Sequence, residues 1–563
     1  MRPFLPLIAC VCCVLPACTS SPALGQASPV PVVEVAEVQR PQGETAAWWY
    51  RSGAARAAAN GAMDGRARNV IVFLGDGMSL TTVAAARILE GQRKGDPGEE
   101  NQLAWEGFPH TALAKTYNTD SQTPDSAGTM TAIAAGVKTH MGAIGVASGR
   151  RSDCADSLTK PLLSWLHLAD SAGLATGVVT TARLTHATPA AVYAHSPERN
   201  WENDTELPEE AKAAGCHDIA QQLLMASRFG RGPTVALGGG RGEFMPAQQR
   251  DPEYDDKVGK RLDGRDLVAE WRAAHPRGRY VWNTRQLQDA AGAPSLLGLF
   301  EYDHMQFDHD RARGPAGEPS LADMTRVAIE TLSRQPHGYV LMVEGARIDH
   351  AHHYGNAYRA LDETIAFSDA VRAAVEATSA QDTLILVTAD HGHTLTFAGY
   401  PVRGNPMLGK VRGRGGEDDQ GDDYARDQTG LAYTTLGYAN GPGHTGESNR
   451  QPEGPKRFLH EPSSVEPRAG RPDLAQVDTE HPDYLQEALV PLKSESHGGE
   501  DVGVWASGPG ADAVRGTVEQ NVLYHIIVQA TPTLRERLCA AGTCDANGVP
   551  VELPDPARFE RGK

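Results

Sequence analysis

The sequence predicts an α/β protein whose centre is a large, mostly parallel sheet with helices on both faces. One observation is a set of continuous apolar runs, typical of strands buried on both faces, at 69–75, 177–180, 338–343, 383–388 and 502–505. The other is the helix-compatible sequence between them, at 80–89, 161–172 and 358–378. Strands that alternate with helices in this way indicate a sheet covered on both faces.

Polar residues follow most of these runs at the end where ligands usually bind. Four runs end at or shortly before a carboxylate or a histidine; these residues are Asp76, His186, Glu344 and Asp390. The fifth run is preceded by His497. Ligands of open α/β sheets usually bind at the carboxyl edge of the strands, so the sequence predicts a polar site there.

Length and charge limit the classes of partner. The chain has 563 residues, enough for one large α/β domain with insertions or for two to three domains. Its net charge of −18 argues against nucleic acid or an anionic membrane surface as a dedicated partner. If the substrate is an anion, metal ions and a few arginines must reverse the local sign of the potential.

The N-terminal residues have the pattern of an export signal. Residues 1–27 carry Arg2 and an apolar run too short to span a membrane stably, so we expect an exported protein, periplasmic or at the cell surface. Cys18 ends a segment that looks like a lipoprotein cleavage site and is a candidate lipid anchor; cleavage after Ala27 is the alternative. Residues 28–45 are rich in Pro, Val, Glu and Gln and are predicted to be a linker.

The remaining segments are assigned by composition. Residues 46–530 are predicted to form the folded domain, which starts with an alanine-rich helix over 46–59 that could pack on the body or on another subunit. The interval at about 404–485 is dense in Gly, Pro, Asp and Arg and is predicted to be a surface insertion. Residues 531–563 are predicted to be a C-terminal tail.

Ser126 lies at the start of a predicted helix. Pro124 disfavours helix at the residue before it, and the small apolar residues that follow predict a helix beginning at Ser126. One interpretation is an ordinary N-cap serine. The other is a reactive hydroxyl, because unpaired N–H groups and the helix dipole favour an anion at this position.

Two further segments concentrate metal-ligand residues. In 343–353, Asp349 and His353 are four residues apart, so on a helix they share a face. In 388–393, Asp390 and His391 follow an apolar run. The alternative for 343–353 is a solvated polar loop, and the alternative for 388–393 is a turn built on Asp and Gly. Ligands of Asp, His and Glu suit Zn²⁺ with Mg²⁺, and two ions about 4 Å apart could assist an in-line displacement at phosphorus.

Together these segments resemble the alkaline phosphatase family. The motifs that carry the resemblance are 73–78, 125–127, 343–345, 388–391 and 497–501, and the similarity runs from about residue 46 to 528. The resemblance implies the alkaline-phosphatase-like fold. It also implies hydrolysis of phosphate monoesters of broad specificity, with an alkaline optimum and a phosphoserine intermediate.

The resemblance also implies roles for individual residues. Ser126 would be the nucleophile and Arg199 the phosphate clamp, with Asp125 orienting Arg199 and His350 assisting substrate binding. A planar guanidinium suits the clamp because it grips two phosphoryl oxygens. The ligands would divide into a first zinc site of Asp349, His353 and His497, a second of Asp76, Asp390 and His391, and a magnesium site of Asp76, His186, Thr188 and Glu344. His186 and His350 are similar to the animal enzymes, and we expect the histidine at 186 to weaken Mg²⁺ binding.

Other features implied by the family lie outside the centre. The insertion resembles the animal enzymes' crown domain through 433–443, and the family is expected to form homodimers. Glu253, the carbonyl of Phe300, Glu301 and Glu318 resemble a peripheral calcium site, which oxygen ligands fit. Cys154 is expected to pair with Cys216 on the resemblance, and Cys539 with Cys544 on proximity alone.

Three alternatives remain at this point. A sulfatase would need a modifiable Cys or Ser followed by Pro and Arg, and that pattern is absent from the sequence. A phosphodiesterase of the same superfamily usually lacks the third metal site, whereas His186, Thr188 and Glu344 are all present. A surface protein that binds phosphate or metal without turnover is the third, against which the complete set of candidate residues argues.

Overall fold

A ten-stranded mixed sheet forms the centre of the computed structural model. The described residues are 35, 38–413, 424–468 and 470–562. The predicted export signal with Cys18, most of the predicted linker before residue 38, and residues 414–423 of the insertion lie outside them. The described part of the chain forms one compact unit.

The strands of the described residues include several short ones. In chain order they are β1 (Asn69–Gly75), β2 (His110–Lys115), β3 (Ala175–Arg183), β4 (Val235–Gly239), β5 (Arg279–Val281), β6 (Leu296–Leu299), β7 (Tyr339–Gly345), β8 (Thr383–Ala389), β9 (Gly392–His393), β10 (Leu395–Phe397), β11 (Leu436–Gly441), β12 (Ala488–Pro491), β13 (His497–Gly498), β14 (Val502–Ser507) and β15 (Gly516–Glu519).

The α-helices vary from one turn to six. In chain order they are α1 (Ala46–Ala59), α2 (Leu80–Arg93), α3 (Ser126–Ala135), α4 (Cys154–Ser157), α5 (Trp165–Ser171), α6 (Ala187–Ala190), α7 (Glu209–Ala214), α8 (Ile219–Met225), α9 (Arg241–Phe244), α10 (Leu267–Ala274), α11 (Thr284–Asp289), α12 (Leu321–Ser333), α13 (Arg347–His353), α14 (Ala357–Ala377), α15 (Val522–Ala530) and α16 (Pro532–Ala540). None of the helices in the described ranges is long and apolar enough to cross a membrane.

The central sheet has the order β15-β2-β14-β8-β1-β7-β3-β4-β6-β5. Strands β8, β1, β7, β3, β4, β6 and β5 run parallel, and β14 pairs antiparallel with both β8 and β2. The central β1 is buried on both faces, which its uninterrupted apolar run predicts. The predicted mostly parallel sheet flanked by helices is confirmed.

Predicted and observed helix boundaries differ where a cap was not recognised. The helix predicted over 161–172 begins only at Trp165, because the Ser164 hydroxyl accepts the His167 N–H at 3.1 Å and caps it. The helix predicted over 80–89 continues to Arg93. The long helix predicted over 358–378 is shifted by one residue.

Helix α1 packs on its own chain, which decides a question that the sequence left open. Its bounds are those predicted, and Thr45 caps it by accepting the Trp48 N–H at 3.2 Å. Trp49 and Tyr50 are buried against α15, where Asn521 donates its Nδ2–H to the Trp49 carbonyl at 2.7 Å. The C-terminal segment also contacts α1, through an apolar cluster that contains Val549.

Part of the predicted insertion is tied to the body. Strands β10, β11 and β12 form a separate three-stranded sheet, of which only β11 lies inside 404–485. The hydroxyl of Tyr438 on β11 lies 2.7 Å from Nδ1 of His352 on α13. The bounds of the insertion, and its likeness to a crown domain, remain predictions.

Both expected disulfides are present. Cys154 is bonded to Cys216 across 62 residues, and Cys539 to Cys544 across five. A cross-link stabilises mainly by restricting the unfolded chain, and this restriction grows with the length of the closed loop.

We expect loss of the first disulfide to cost more stability than loss of the second. The double variant Cys154→Ala/Cys216→Ala is expected to lower the free energy of unfolding by roughly 2 kcal/mol more than Cys539→Ala/Cys544→Ala, from loop-closure entropy. Urea unfolding of both variants, followed by circular dichroism, measures the difference. Equal losses would contradict the loop-length argument.

Candidate active site

The central strands place four acidic or histidine residues at one edge of the sheet. Leu74 of β1 lies in register with Glu344 of β7 on one side and with Thr388 of β8 on the other. Asp76 and Asp390 therefore leave neighbouring strands at the same level. His186 comes three residues after β3, on the other side of β7. The predicted polar edge is confirmed.

Helix α3 begins at Ser126 as predicted, but its N-cap is Asp125. The Asp125 backbone is extended, and its Oδ1 accepts the Gly128 N–H at 3.1 Å. The interpretation of Ser126 as the cap is therefore wrong, because a helix has one capping position and an aspartate occupies it. The Ser126 hydroxyl instead lies 3.1 Å from Nε2 of His391.

Arg199 lies beside this helix start. Its Nη1 donates to Asp125 Oδ2 at 3.1 Å, and its Nη2 lies 3.3 Å from His186 Nε2. Asp125 also accepts the Gly142 N–H at 3.0 Å, so its carboxylate is held from several directions. The side chain of Arg199 is 22% exposed, which leaves its guanidinium within reach of a small anion.

The first group of potential metal ligands is Asp349, His353, His393 and His497. One ligand atom from each lies within 4.8 Å of the others. His353 and His497 each place Nε2 at 3.3 Å from Asp349 Oδ1. Their Nδ1 atoms face backbone carbonyls, at 2.6 Å from Glu495 and 2.8 Å from Pro124. With Nδ1–H donating to a carbonyl, each Nε2 keeps a lone pair for a metal ion.

Two further groups share Asp76. One joins Asp76 to His186 and Glu344, and the other joins it to Asp349 and His391. Asp349 therefore belongs both to the first group and to the group of Asp76 and His391.

Two further contacts complete these groups. Asp390 Oδ2 lies 3.4 Å from His391 Nε2. Thr188 donates its hydroxyl to Asp76 Oδ2 at 3.3 Å. All nine predicted ligands therefore lie in one connected cluster around Ser126.

The buried carboxylates of this cluster favour the binding of a cation. Burial, with the neighbouring carboxylates of Asp390 and Asp349, raises the pKa of Asp76 well above its usual range, and burial raises the pKa of Glu344 to about 8. Asp76 Oδ1, Glu344 Oε1 and His186 Nδ1 are buried without a hydrogen-bond partner. Unpaired buried lone pairs of Asp, Glu and His are the donor set of a divalent metal site, so these residues fit one.

Sequence reasoning missed His393 and Glu495. His393 places Nε2 at 2.7 Å from Asp349 Oδ1 and Nδ1 at 2.5 Å from Glu495 Oε2. Burial opposes protonation of His393, but the two carboxylates raise its pKa to about 10. His393 lies two residues after His391 and Glu495 two residues before His497, so the signal lay beside the predicted ligands. Only the pairing of β13 with β9 brings them together.

The predicted calcium residues form a separate, looser group. Arg241 engages Glu253 at 2.9 Å and Asp251 at 2.7 and 2.9 Å. Glu318 Oε1 is buried without a partner, and burial together with Glu301 raises the Glu318 pKa to about 8. Within the described ranges, no three His, Cys, Asp or Glu ligand atoms converge here to within 4.8 Å. The carbonyl of Phe300 precedes Glu301 directly.

Comparison with known proteins agrees with this geometry. The family model for alkaline phosphatase matches residues 67–533. The chain belongs to the alkaline phosphatase family. It is 42% identical over 473 residues to the human tissue-nonspecific isozyme of alkaline phosphatase, covering 82% of this chain and 83% of that protein. It is therefore a metal-dependent phosphatase that hydrolyses phosphate monoesters.

Solved bacterial structures share the fold at lower identity. The alkaline phosphatase of Thermus thermophilus aligns with a TM-score of 0.58 at 24% identity, covering 85% of this chain and 96% of that one. A histidine-to-aspartate variant of the enzyme from the Antarctic bacterium TAB5, with Mg bound in its M3 site, aligns with a TM-score of 0.54 at 20% identity, covering 83% and 98%. At these identities the likeness supports the fold alone.

Proposed function

We propose that this phosphatase acts through a phosphoserine on Ser126 at a site that holds two Zn²⁺ and one Mg²⁺, with broad specificity and an alkaline optimum. The observation that carries the proposal is the position of the Ser126 hydroxyl, at the start of α3 and 3.1 Å from His391. The positive end of the helix dipole at this position favours the negative charge that develops on a nucleophile.

The ligand assignment follows the three groups of side chains. Asp349, His353 and His497 would hold one zinc ion, Asp76, Asp390 and His391 the second, and the carboxylates of Asp76 and Glu344 with Thr188 and His186 the magnesium. When bound, these ions lower the pKa of the serine hydroxyl and of a water molecule, and stabilise the departing oxygen. The magnesium bound in the TAB5 variant is consistent with a third site of this kind.

The chain's own residues orient the phosphoryl group. Arg199 would grip two of its oxygens in a bidentate contact, held in place by the Asp125 carboxylate at 3.1 Å. His350 lies on the far side of His186, with ring centroids 5.4 Å apart, and would assist substrate binding. His393 is a positioning residue, because its Nε2 contacts the Asp349 carboxylate at 2.7 Å while its Nδ1 is held by Glu495 at 2.5 Å.

The reaction then proceeds as a double displacement. Ser126 Oγ loses its proton to solvent, attacks phosphorus and forms a P–O bond while the bond to the ester oxygen breaks, and the alcohol leaves with a proton from solvent. Water then attacks the phosphoserine, which regenerates the hydroxyl and releases inorganic phosphate. Arg199 stays on the same two oxygens throughout, so one set of contacts serves both displacements.

Several predictions about the rest of the chain stand as part of this proposal. Residues 1–27 would direct export to the periplasm or cell surface, with Cys18 as a lipid anchor, and the folded domain would span 46–530 and form a homodimer. Glu253, Phe300, Glu301 and Glu318 would hold a calcium ion. The buried, unpartnered Glu318 Oε1 supports a cation there.

A comparison of monoester with diester tests the proposal against the related diesterases. With Zn²⁺ and Mg²⁺ present, kcat/KM for p-nitrophenyl phosphate is expected to exceed that for bis(p-nitrophenyl) phosphate by about 100-fold or more, because a diester offers Arg199 less charge. Release of p-nitrophenol at pH 9 measures both. A diester rate equal to the monoester rate would favour a phosphodiesterase. Release of one equivalent of phosphate without turnover would favour a binding protein.

A further inference from the structure

Three histidines meet beside Arg199, and the proposed chemistry does not account for one of them. One nitrogen from each of His186, His304 and His350 lies within 4.8 Å of the other two. The His304 and His350 rings lie 4.3 Å apart between centroids. His304 follows β6 in the loop that contains Asp303, and its side chain is 18% exposed, so the cluster can be reached from solvent.

Arginines donate into every ring of this cluster. Arg347 Nη1 lies 2.8 Å from His350 Nδ1, and Arg199 Nη2 lies 3.3 Å from His186 Nε2. His304 faces Arg183 twice, with the backbone N–H at 3.2 Å from Nδ1 and Nη1 at 2.8 Å from Nε2. Arginine only donates, so a histidine nitrogen opposite it must accept.

The proton positions follow from these contacts. A neutral imidazole has one acceptor and one donor nitrogen, so His350, whose Nδ1 accepts from Arg347, carries its proton on Nε2. His304 can accept from only one of the two Arg183 groups, so its other nitrogen carries a proton. Arg183 Nη1 also donates to Asp303 Oδ1, whereas Arg347 Nε is buried without a partner. Hydrogen-bond donors therefore outnumber acceptors around His304 and His350.

The charged residues around the three histidines also favour an anion. Glu202 and Asp303 pair with Arg183, and Asp125 pairs with Arg199. Arg347 forms no ion pair in the described part of the chain, and its guanidinium lies 3.9 Å over the Phe307 ring. Asp303 Oδ1 lies 4.0 Å from His304 Nε2, and its charge is compensated by the ion pair with Arg183.

A surplus of donors suits an anion and disfavours a metal ion. A metal needs nitrogen lone pairs, and in His304 and His350 these already accept from Arg183 and Arg347. We propose that His304, His350 and Arg347 form a second anion subsite beside Arg199, which selects phosphate monoesters whose alcohol part carries another anionic group. This inference rests on the proposed monoesterase function and adds a substrate class to it.

Two esters that differ only in that group test the subsite. 3-Phosphoglycerate and glycerol 3-phosphate differ in a carboxylate against a hydroxymethyl group. In His304→Ala, kcat/KM for 3-phosphoglycerate is expected to fall about tenfold more than that for glycerol 3-phosphate, because a charge-assisted donor is lost. His304→Asp should widen the difference by repulsion, and His304→Gln, which keeps an N–H donor, should narrow it.

A matched control and a metal assay make the outcome decisive. His337→Ala removes an exposed histidine just before β7, at the opposite end of the strand from the site, and should change the two rates equally. Equal losses for both esters in the His304 variants would overturn the subsite. The subsite would also be overturned if His304→Ala lost one equivalent of bound metal while the ratio of kcat/KM for the two esters stayed unchanged. If the wild type hydrolyses p-nitrophenyl phosphate but neither ester, the subsite is wrong while the proposed function stands; if it hydrolyses none of the three, the proposed function is itself wrong.

Discussion

Ser126→Ala is expected to lower kcat for p-nitrophenyl phosphate by about 1,000-fold or more, the largest effect of any single substitution in this chain. Ser126 Oγ is the only hydroxyl in the described residues placed both at the start of α3 and within 3.1 Å of His391. Its removal leaves Arg199 and the metal ligands in place. Substrate binding should therefore persist while turnover is lost.

Trapping of the intermediate distinguishes the role of Ser126 from a structural one. Acid quenching of the wild type with ³²P-phosphate is expected to leave label on the protein at Ser126, and none in Ser126→Ala. Ser121→Ala, five residues earlier in the same loop, is the control and should keep both the label and the activity, because the half-buried Ser121 hydroxyl donates to the Thr123 carbonyl. Turnover in Ser126→Ala at the wild-type rate would exclude the phosphoserine mechanism.

Metal removal is expected to have the second largest effect. Chelation followed by dialysis should lower kcat by about 1,000-fold, because without cations the buried carboxylates of Asp76, Glu344 and Asp390 repel a phosphate dianion. Phosphate release before chelation, after it, and after reconstitution measures the loss and the recovery. Far-ultraviolet circular dichroism of the metal-free protein should show that the fold persists. Metal-independent activity would contradict the proposal.

Stepwise reconstitution separates the two kinds of ion. Zn²⁺ alone is expected to restore part of the activity and Mg²⁺ the remainder, with Mg²⁺ required in excess. The physical reason is that His186 is a neutral ligand, so the site formed with Asp76 and Glu344 carries one negative charge fewer than a site with aspartate at 186. Activity that is insensitive to Mg²⁺ after reconstitution with zinc would count against this weak third site.

Local sequence was enough to predict the sheet and the helix that carries Ser126. The runs at 69–75 and 383–388 are apolar without alternation, a pattern typical of strands buried on both faces. Pro124 and the small residues after Ser126 set the helix start to the residue. Asp349 and His353 share a helix face because 3.6 residues make a turn, and α13 confirms the spacing.

The sequence by itself determined the fold class, the position of Ser126 and the set of ligand segments, because strand burial, helix starts and i,i+4 spacing depend on neighbours along the chain. Only the tertiary structure decided that Asp125 and not Ser126 caps α3, that His393 and Glu495 support Asp349, and that His304 joins His186 and His350. The contacts of His393 and Glu495 with Asp349, and the histidine cluster with His304, each join side chains that are far apart in sequence. Local periodicity carries no information about such contacts. The cap depends on which of two adjacent polar side chains turns back to the helix N–H groups, and it frees the serine to face the cluster.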